Sequence, residues 1–193
     1  MRSIFLARHG ETAWNALHKL QGHTDVPLNE TGRAQALALA ELLLAEKITS
    51  VITSDLARAR ETGALIASRL AIAAPHTDSD LRERRFGIFE GLTREECAAQ
   101  HPDAWRAWMA ESMAPRGGEP AEEIVLRMTR ALGRIIDDGD HRPALVISHG
   151  GVMGLWLRAL LGPKVPPIGN GSVYVLQHDG ARFDARPWEP EVA

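Results

Sequence analysis

The chain has 193 residues, a formal net charge of −3 and one cysteine, and 45% of its residues are hydrophobic. This length fits one domain with a sizeable core, and a mildly acidic chain does not fit a nucleic-acid or membrane-surface protein, which needs a basic face. One cysteine excludes an internal disulfide or a multi-cysteine metal site. The first apolar run is too short for a signal peptide, and none reaches transmembrane length. We therefore expect one domain over residues 1–193, cytoplasmic and without nucleic-acid or membrane partners.

Strand and helix signals alternate along the chain. Short apolar runs indicate buried strands, and runs rich in Ala and Leu indicate helices. The predicted elements are strand 3–7, helix 30–46, strand 50–53, helix 55–70, a weaker strand 71–76, a loop 81–92, a helix whose start Thr93 and Glu96 cap, a helical stretch with Trp105 and Trp108, helix 120–137, strand 144–148, helix 151–162 and a hairpin of strands 172–177 and 182–186. This order predicts a three-layer α/β fold with a mostly parallel central sheet and helices on both faces.

Basic and imidazole side chains follow three of the predicted strands or open the helix after them. Arg8 and His9 follow the first strand, Arg58 lies just after the second, and His149 follows strand 144–148. Ligands bind beyond the carboxyl ends of such strands. Two arginines bind a dianion well, and they disfavour protonation of a nearby imidazole, which keeps it nucleophilic. We expect the second histidine to stay cationic and to stabilise charge on a phosphoryl group.

Each of these residues has an ordinary structural explanation when taken alone. Arg58 fits an exposed helix charge paired with Asp55 or Glu61, and His149 fits a buried core histidine. Glu83, within a run of charges, fits a solvated loop residue. Their combination at one edge of the sheet is what favours a functional site.

Six ordered blocks of the sequence resemble the histidine phosphatase superfamily, the phosphoglycerate-mutase-like enzymes. They span nearly the whole chain, so the resemblance is specific, although "RHG" alone is a weak signal. The blocks are "RHGETAWN" (8–15), "QGHTDVPLNETGRAQA" (21–36), "SDLARARETG" (54–63), "LRERRFGIFEGL" (81–92), "PRGGE" (115–119) and "SHGG" (148–151).

The resemblance implies a role for each matching residue. His9 matches the nucleophile that becomes phosphohistidine, and Glu83 matches the acid that protonates the leaving oxygen and then activates water. An alkoxide is a poor leaving group, so a positioned acid contributes about 100-fold or more. The remaining implied residues are Arg8, Arg58, His149 and Asn15 in the phosphate pocket, and Thr12, Gln21, Gly22, Arg94 and Gly150 on the substrate side.

Three functions are compatible with the motifs. A metal-independent phosphomonoesterase without a cofactor is favoured over a phosphoglycerate mutase, because the segment 93–143 is short and because mutases usually carry tyrosine at Phe86 and lysine at Arg94. A binding module with weak catalysis is the third, disfavoured because no catalytic member is missing. We expect a lid over residues 94–118 to select a small-molecule phosphomonoester. The sequence leaves the substrate open among sugar phosphates, phosphoglycerate derivatives, a cobalamin-pathway phosphate and a phosphoprotein. It also leaves open whether the protein is a monomer or a homodimer.

Overall fold

The computed structural model of the chain describes residues 3–110, 113–138 and 142–190. Within these ranges six strands form a sheet in the order β3–β2–β4–β1–β5–β6, where β1 is Ser3–Arg8, β2 Ser50–Thr53, β3 His76–Thr77, β4 Ala144–Ser148, β5 Val173–His178 and β6 Phe183–Pro187. The first four strands pair in parallel. β5 runs antiparallel to both β1 and β6. The mostly parallel sheet is confirmed.

Seven helices surround this sheet in the described ranges. They are α1 (Ala13–Ala16), α2 (Glu30–Leu42), α3 (Ala57–Arg69), α4 (Arg94–Gln100), α5 (Pro102–Met109), α6 (Ala121–Asp137) and α7 (Gly150–Leu161). Asn29 caps α2 through a 2.8 Å bond from the amide of Gly32. The capping box predicted for Thr93 and Glu96 at the start of α4 is confirmed. No helix among the described residues is long and apolar enough to cross a membrane.

The side chains of β1 divide the core into two layers. Ile4 and Leu6 point towards a cluster that includes residues of α6 and α7, whereas Phe5 and Ala7 point towards residues of α2 and α3. Successive side chains of a strand face opposite sides, so helices on both faces require a strand that is apolar throughout. The three-layer arrangement is therefore confirmed.

Several elements differ from those predicted, and helix 30–46 is α-helical only to Leu42, with a 3-10 turn over Leu43–Glu46. The strand expected at 71–76 is wrong in position: Ala71 adopts a φ of 53°, which turns the chain, and only His76–Thr77 pairs with β2. α3 begins two residues later than expected because Leu56 is extended. The short helix α1 was not predicted, since four residues are too few to show a helical period.

The expected lid forms a small layer of its own. Its described part consists of α4, α5 and residues 113–118, while residues 111 and 112 lie outside the described ranges. Trp105 and Trp108 pack on Phe89 with ring centroids 5.5 and 5.9 Å away. This third apolar cluster holds the lid against the loop predicted at 81–92, which contains one short 3-10 turn, Gly87–Phe89.

Candidate active site

A cavity of about 350 Å³ opens where β1 and β4 end. The two strands pair with Arg8 opposite Ser148, so the residues that follow them, His9 and His149, lie side by side. Their ring centroids are 5.0 Å apart, and the two residues are 2% and 0% exposed. The register of two central strands therefore fixes the distance between the two histidines.

The imidazole of His9 is held in one tautomer. Its Nδ1 lies 2.6 Å from the carbonyl oxygen of Gly10. A carbonyl only accepts, so Nδ1 carries the hydrogen, and Nε2 of the neutral ring carries the lone pair. The backbone is fixed as well: the amide of His9 donates to Ser148 and its carbonyl accepts from Asn170. Nε2 therefore carries the free lone pair of a residue that lines the cavity.

Two buried guanidinium groups line the same cavity. Arg58 donates from Nη1 and Nη2 to the carbonyls of Thr24 and Gly22, at 3.0 and 2.8 Å. Arg8 donates from Nη1 to the carbonyl of Ile168 at 2.6 Å. The Nε atoms of both arginines are buried and have no partner among the described residues. Backbone carbonyls thus orient two cations and leave N–H groups for an anion.

The structure contradicts the alternative of Arg58 as an exposed helix charge. Arg58 is 1% exposed. Asp55 instead pairs with Arg82, and Glu61 pairs with Arg33 at 2.6 Å. Both carboxylates that the sequence offered to Arg58 are therefore engaged elsewhere.

Burial and charge keep both histidines neutral. Burial lowers the pKa of His9 well below its ordinary value, and the charges of Arg58 and Arg8 lower it further. The pKa of His149 is lowered well below its ordinary value by burial first, and then by Arg58, His9 and Arg8. In the site without a ligand, this direction runs against the cationic His149 expected from the sequence, because the residue is fully buried beside two guanidinium groups.

The carboxylate of Glu83 lies at the start of α7. Its Oε1 accepts from the amides of Arg84 and Val152, at 2.8 and 2.9 Å, and its Oε2 accepts from the amide of Gly151 at 3.0 Å. A Cβ at Gly151 would lie 2.5 Å from Oε1, so the helix can approach this closely only with glycine there. Glu83 is 8% exposed and lines the cavity with His9.

Sequence reasoning missed the side chain that supports the Glu83 segment from behind. Arg127 of α6 is 8% exposed. Its guanidinium donates to the carbonyls of Asp80, Arg82 and Glu83, at 2.7, 2.7 and 3.1 Å. It also binds both carboxylate oxygens of Glu119, at 2.6 and 2.9 Å. Three of these four partners are backbone carbonyls, and no short sequence motif connects them to Arg127.

A second support comes from the loop that Arg58 holds. Nε2 of His23 lies 2.9 Å from the carbonyl oxygen of Glu83. Glu90 accepts from the amides of His23 and Thr24, at 3.2 and 3.1 Å. Burial lowers the pKa of His23, so its neutral ring donates to that carbonyl. The phosphate-site arginine and the carboxylate segment are therefore connected through one loop.

Asn15 presents its amide nitrogen to the cavity. Its Oδ1 accepts from the amide and the hydroxyl of Thr12, both at 3.1 Å, and from Asn170 at 3.3 Å. With the oxygen engaged, Nδ2 is the group left for a ligand. Asn15 lines the cavity. Thr12 does not line it, and its place is behind Asn15 as the cap of α1.

The other predicted substrate-side residues are placed in different ways. Gln21, Arg94 and Gly150 line the cavity. Gly22 does not, because its carbonyl turns towards Arg58. Its φ of 55° favours glycine at that turn.

The charge of the cavity wall is strongly positive. Two further cations line it that sequence reasoning did not assign, Lys19 and Arg158. Together with Arg8, Arg58 and Arg94 they face one acidic side chain among the described lining residues, Glu83. Across residues 3–110, 113–138 and 142–190, no three His, Cys, Asp or Glu side chains converge as a metal site would require. The arrangement is that of an anion site with a nucleophile and a carboxylate.

Comparisons with known proteins place the chain in one family. The model of the histidine phosphatase superfamily, branch 1, matches residues 4–190. The chain therefore belongs to the histidine phosphatase superfamily and is a phosphoric monoester hydrolase.

Individual relatives agree with this placement. Phosphoglycerate mutase-like protein 4 of Arabidopsis thaliana is 42% identical over 96% of this chain and 84% of its own length. The metal-independent phosphoserine phosphatase of the same plant is 35% identical over 96% of this chain and 80% of its own. A mycobacterial glucosyl-3-phosphoglycerate phosphatase, solved with VO3, superimposes with a TM-score of 0.85 at 30% identity, covering 97% of both chains.

Proposed function

We propose that this chain is a metal-independent phosphomonoesterase that acts on a small phosphorylated metabolite through a phosphohistidine at His9. The observation that carries the proposal is the 2.6 Å contact of His9 Nδ1 with the Gly10 carbonyl. It leaves Nε2 as the nucleophile of a neutral ring. The free Nε–H groups of Arg8 and Arg58 supply charge at the same cavity.

In the first step Nε2 of His9 attacks phosphorus, and the bond from phosphorus to the ester oxygen breaks. Arg8, Arg58 and Asn15 bind the non-bridging oxygens, where negative charge accumulates. His149 lies beside His9 and supplies an N–H donor to the same oxygens; burial lowers its pKa. The leaving oxygen takes a proton from the carboxyl group of Glu83, and the neutral alcohol departs.

In the second step Glu83 is a carboxylate and acts as the base. A water molecule gives it a proton and attacks phosphorus, and the bond from phosphorus to Nε2 breaks. Inorganic phosphate and neutral His9 result, and Glu83 is protonated again for the next cycle. Two guanidinium groups supply the positive charge that a metal ion supplies in other phosphatases, and a relative at 35% identity is named metal-independent.

A mutase is the second candidate, since a relative at 42% identity is named phosphoglycerate mutase-like. A mutase must keep water from its phosphohistidine and return the phosphoryl group to a bound acid. Here Phe86 is packed against Trp108, with ring centroids 5.9 Å apart, and offers no hydroxyl donor. The lid segment is a compact pair of short helices, α4 and α5. These features favour hydrolysis.

One assay separates the candidates. Phosphate release is measured with EDTA present for an aryl phosphate, 3-phosphoglycerate, phosphoserine and a set of sugar and nucleoside phosphates. Conversion of 3-phosphoglycerate to its 2-isomer is followed in the same samples. We expect phosphate release without isomer. Isomer formation with little phosphate would make the chain a mutase, and the absence of both from folded protein would favour the binding module.

A further inference from the structure

A second pocket adjoins the cavity on the side of the lid. It has a volume of about 260 Å³ and shares Phe86, Arg94 and Arg158 with the cavity around His9. We call it the outer pocket. A group attached to a phosphate that His9 attacks can extend into this adjoining space, since the two pockets share part of their walls.

The composition of the outer pocket is both cationic and apolar. Three arginines line it, Arg84, Arg94 and Arg158, and the lining residues that the structure describes include no acidic side chain. Its other walls are mainly apolar, with Trp108, Met109 and Leu155 among them. Arg84 already lies over Trp108, 5.4 Å from the ring centroid, and donates to the Glu119 carbonyl. The two remaining arginines are the cations directed at a ligand.

Arg158 is held over the pocket by a gap in α7. One turn earlier the helix carries Gly154, and Nη1 of Arg158 lies 3.2 Å from where a Cβ of residue 154 would be. The arginine therefore folds back along the helix onto the wall of the cavity, which Gly154 also lines. Among the described residues neither Arg158 nor Arg94 forms an ion pair or a side-chain hydrogen bond.

We propose that the outer pocket is a leaving-group subsite, in which Arg158, assisted by Arg94, binds a second oxyanion of the substrate. The substrate is then a phosphomonoester whose alcohol carries a carboxylate or a second phosphate, with its carbon skeleton against Trp108 and Leu155. A guanidinium fork suits both anions. This inference rests on the proposed phosphatase function and adds a determinant of specificity to it.

The test compares matched substrate pairs that differ in the second anion. The carboxylate pair is 3-phosphoglycerate and glycerol 3-phosphate, which share a skeleton, and the phosphate pair is fructose 1,6-bisphosphate and fructose 6-phosphate. For at least one pair, we expect wild-type kcat/KM to be about 10-fold or more higher for the substrate that carries the second anion. Arg158→Gln should reduce that ratio about 10- to 100-fold, the usual value of a charged hydrogen bond. Which pair responds identifies the anion.

Two further variants make the result specific. Gly154→Ala keeps the charge but pushes Arg158 off its position, and it should reduce the ratio about 3- to 10-fold without unfolding the helix, because alanine suits a helix better than glycine. Arg60→Gln removes an exposed arginine on α3 that lines neither pocket and should leave the ratio unchanged.

Binding measured without turnover separates this inference from the proposed function. Calorimetry on His9→Ala and on His9→Ala/Arg158→Gln measures, for each substrate pair, the ratio of the two binding affinities. If neither pair's ratio depends on Arg158, in turnover or in binding, the subsite is disproved while the phosphatase stands. If wild type hydrolyses no ester but the affinity ratio falls with Arg158→Gln, the subsite stands and the phosphatase is disproved.

Discussion

The inner half of the cavity and the outer pocket hold their cations in different ways. In the inner half Arg8 and Arg58 are buried and bonded to backbone carbonyls, which fixes them before any ligand arrives. In the outer pocket Arg94 is exposed and Arg158 is half-buried, and neither is bonded to a described side chain. In the proposed reaction the inner half therefore binds the phosphoryl group common to all monoesters, and the outer pocket distinguishes their alcohols.

Loss of the nucleophile gives the largest expected effect and tests whether the inner half is indifferent to the alcohol. We expect His9→Ala to reduce turnover by about 10⁴-fold or more on every substrate, activated or not. The side chain donates one hydrogen bond, to Gly10, so the fold should persist. Phosphate release and circular dichroism measure both. His76→Ala, an exposed histidine on β3, is the matched control. Normal activity in folded His9→Ala would disprove the proposed mechanism.

Glu83 lines the cavity with His9, and the effect of replacing it should depend on the leaving group alone. We expect Glu83→Gln to slow alkyl phosphates by about 10²- to 10⁴-fold, because alkoxides need a proton. A nitrophenyl phosphate, whose leaving group does not, should lose far less. A plot of log kcat/KM against the pKa of the leaving alcohol measures this. Equal losses on both substrates would remove Glu83 from the acid role.

The rigid support of Glu83 is tested through stability. Arg127→Met keeps the apolar stem but leaves the carboxylate of Glu119 unpaired, at 16% side-chain exposure. We expect a loss of about 3–5 kcal/mol in the free energy of unfolding, measured in urea. Arg134→Met, on the same helix as Arg127, removes an exposed pairing with Asp78 and Asp80 and should cost about 1 kcal/mol or less. Similar losses in both variants would show that burial of Arg127 contributes little.

Burial of two neutral histidines should make stability depend on pH. Their folded pKa values are lowered, so between those values and about 6.5 the unfolded chain binds protons that the native protein does not. Stability should therefore fall as pH falls below about 6.5, by up to about 1.4 kcal/mol per pH unit for each histidine. Urea unfolding from pH 7.5 to 5.0 measures the slope. His9→Asn/His149→Asn should flatten it, and His76→Asn is the control; an unchanged slope in the double variant would contradict the assignment.

The sequence predicts the fold and the inner half better than the outer pocket. The alternation of apolar runs determines the sheet, and the residues that follow its strands, such as His9 and His149, arrive at one edge as a consequence of parallel pairing. The weak strand was misplaced because a two-residue edge strand, His76–Thr77, leaves almost no hydrophobic pattern.

The missed residues act through backbone groups or through local shape. His23 and Arg127 reach the carbonyl of Glu83, and a carbonyl leaves no mark in the sequence. The placement of Arg158 on the cavity wall depends on Gly154, one turn before it, and the sequence alone did not show that placement. The sequence likewise gives the identity of the groups around His149 but not how completely they exclude water, and this burial is the main cause that lowers its pKa.

The position of β1 in the sheet has a consequence for how the protein is made. Both neighbours of β1, the strands β4 and β5, come late in the chain, and 160 residues separate Arg8 from its partner Ile168. On the ribosome the apolar strand β1, which leads to His9, therefore has no strand partner through most of synthesis, and both of its edges can pair with other chains. A nascent chain that ends before β4 lacks both the strand that positions His9 and the residue beside it, His149. The central sheet and the site around His9 are therefore completed together, late in synthesis.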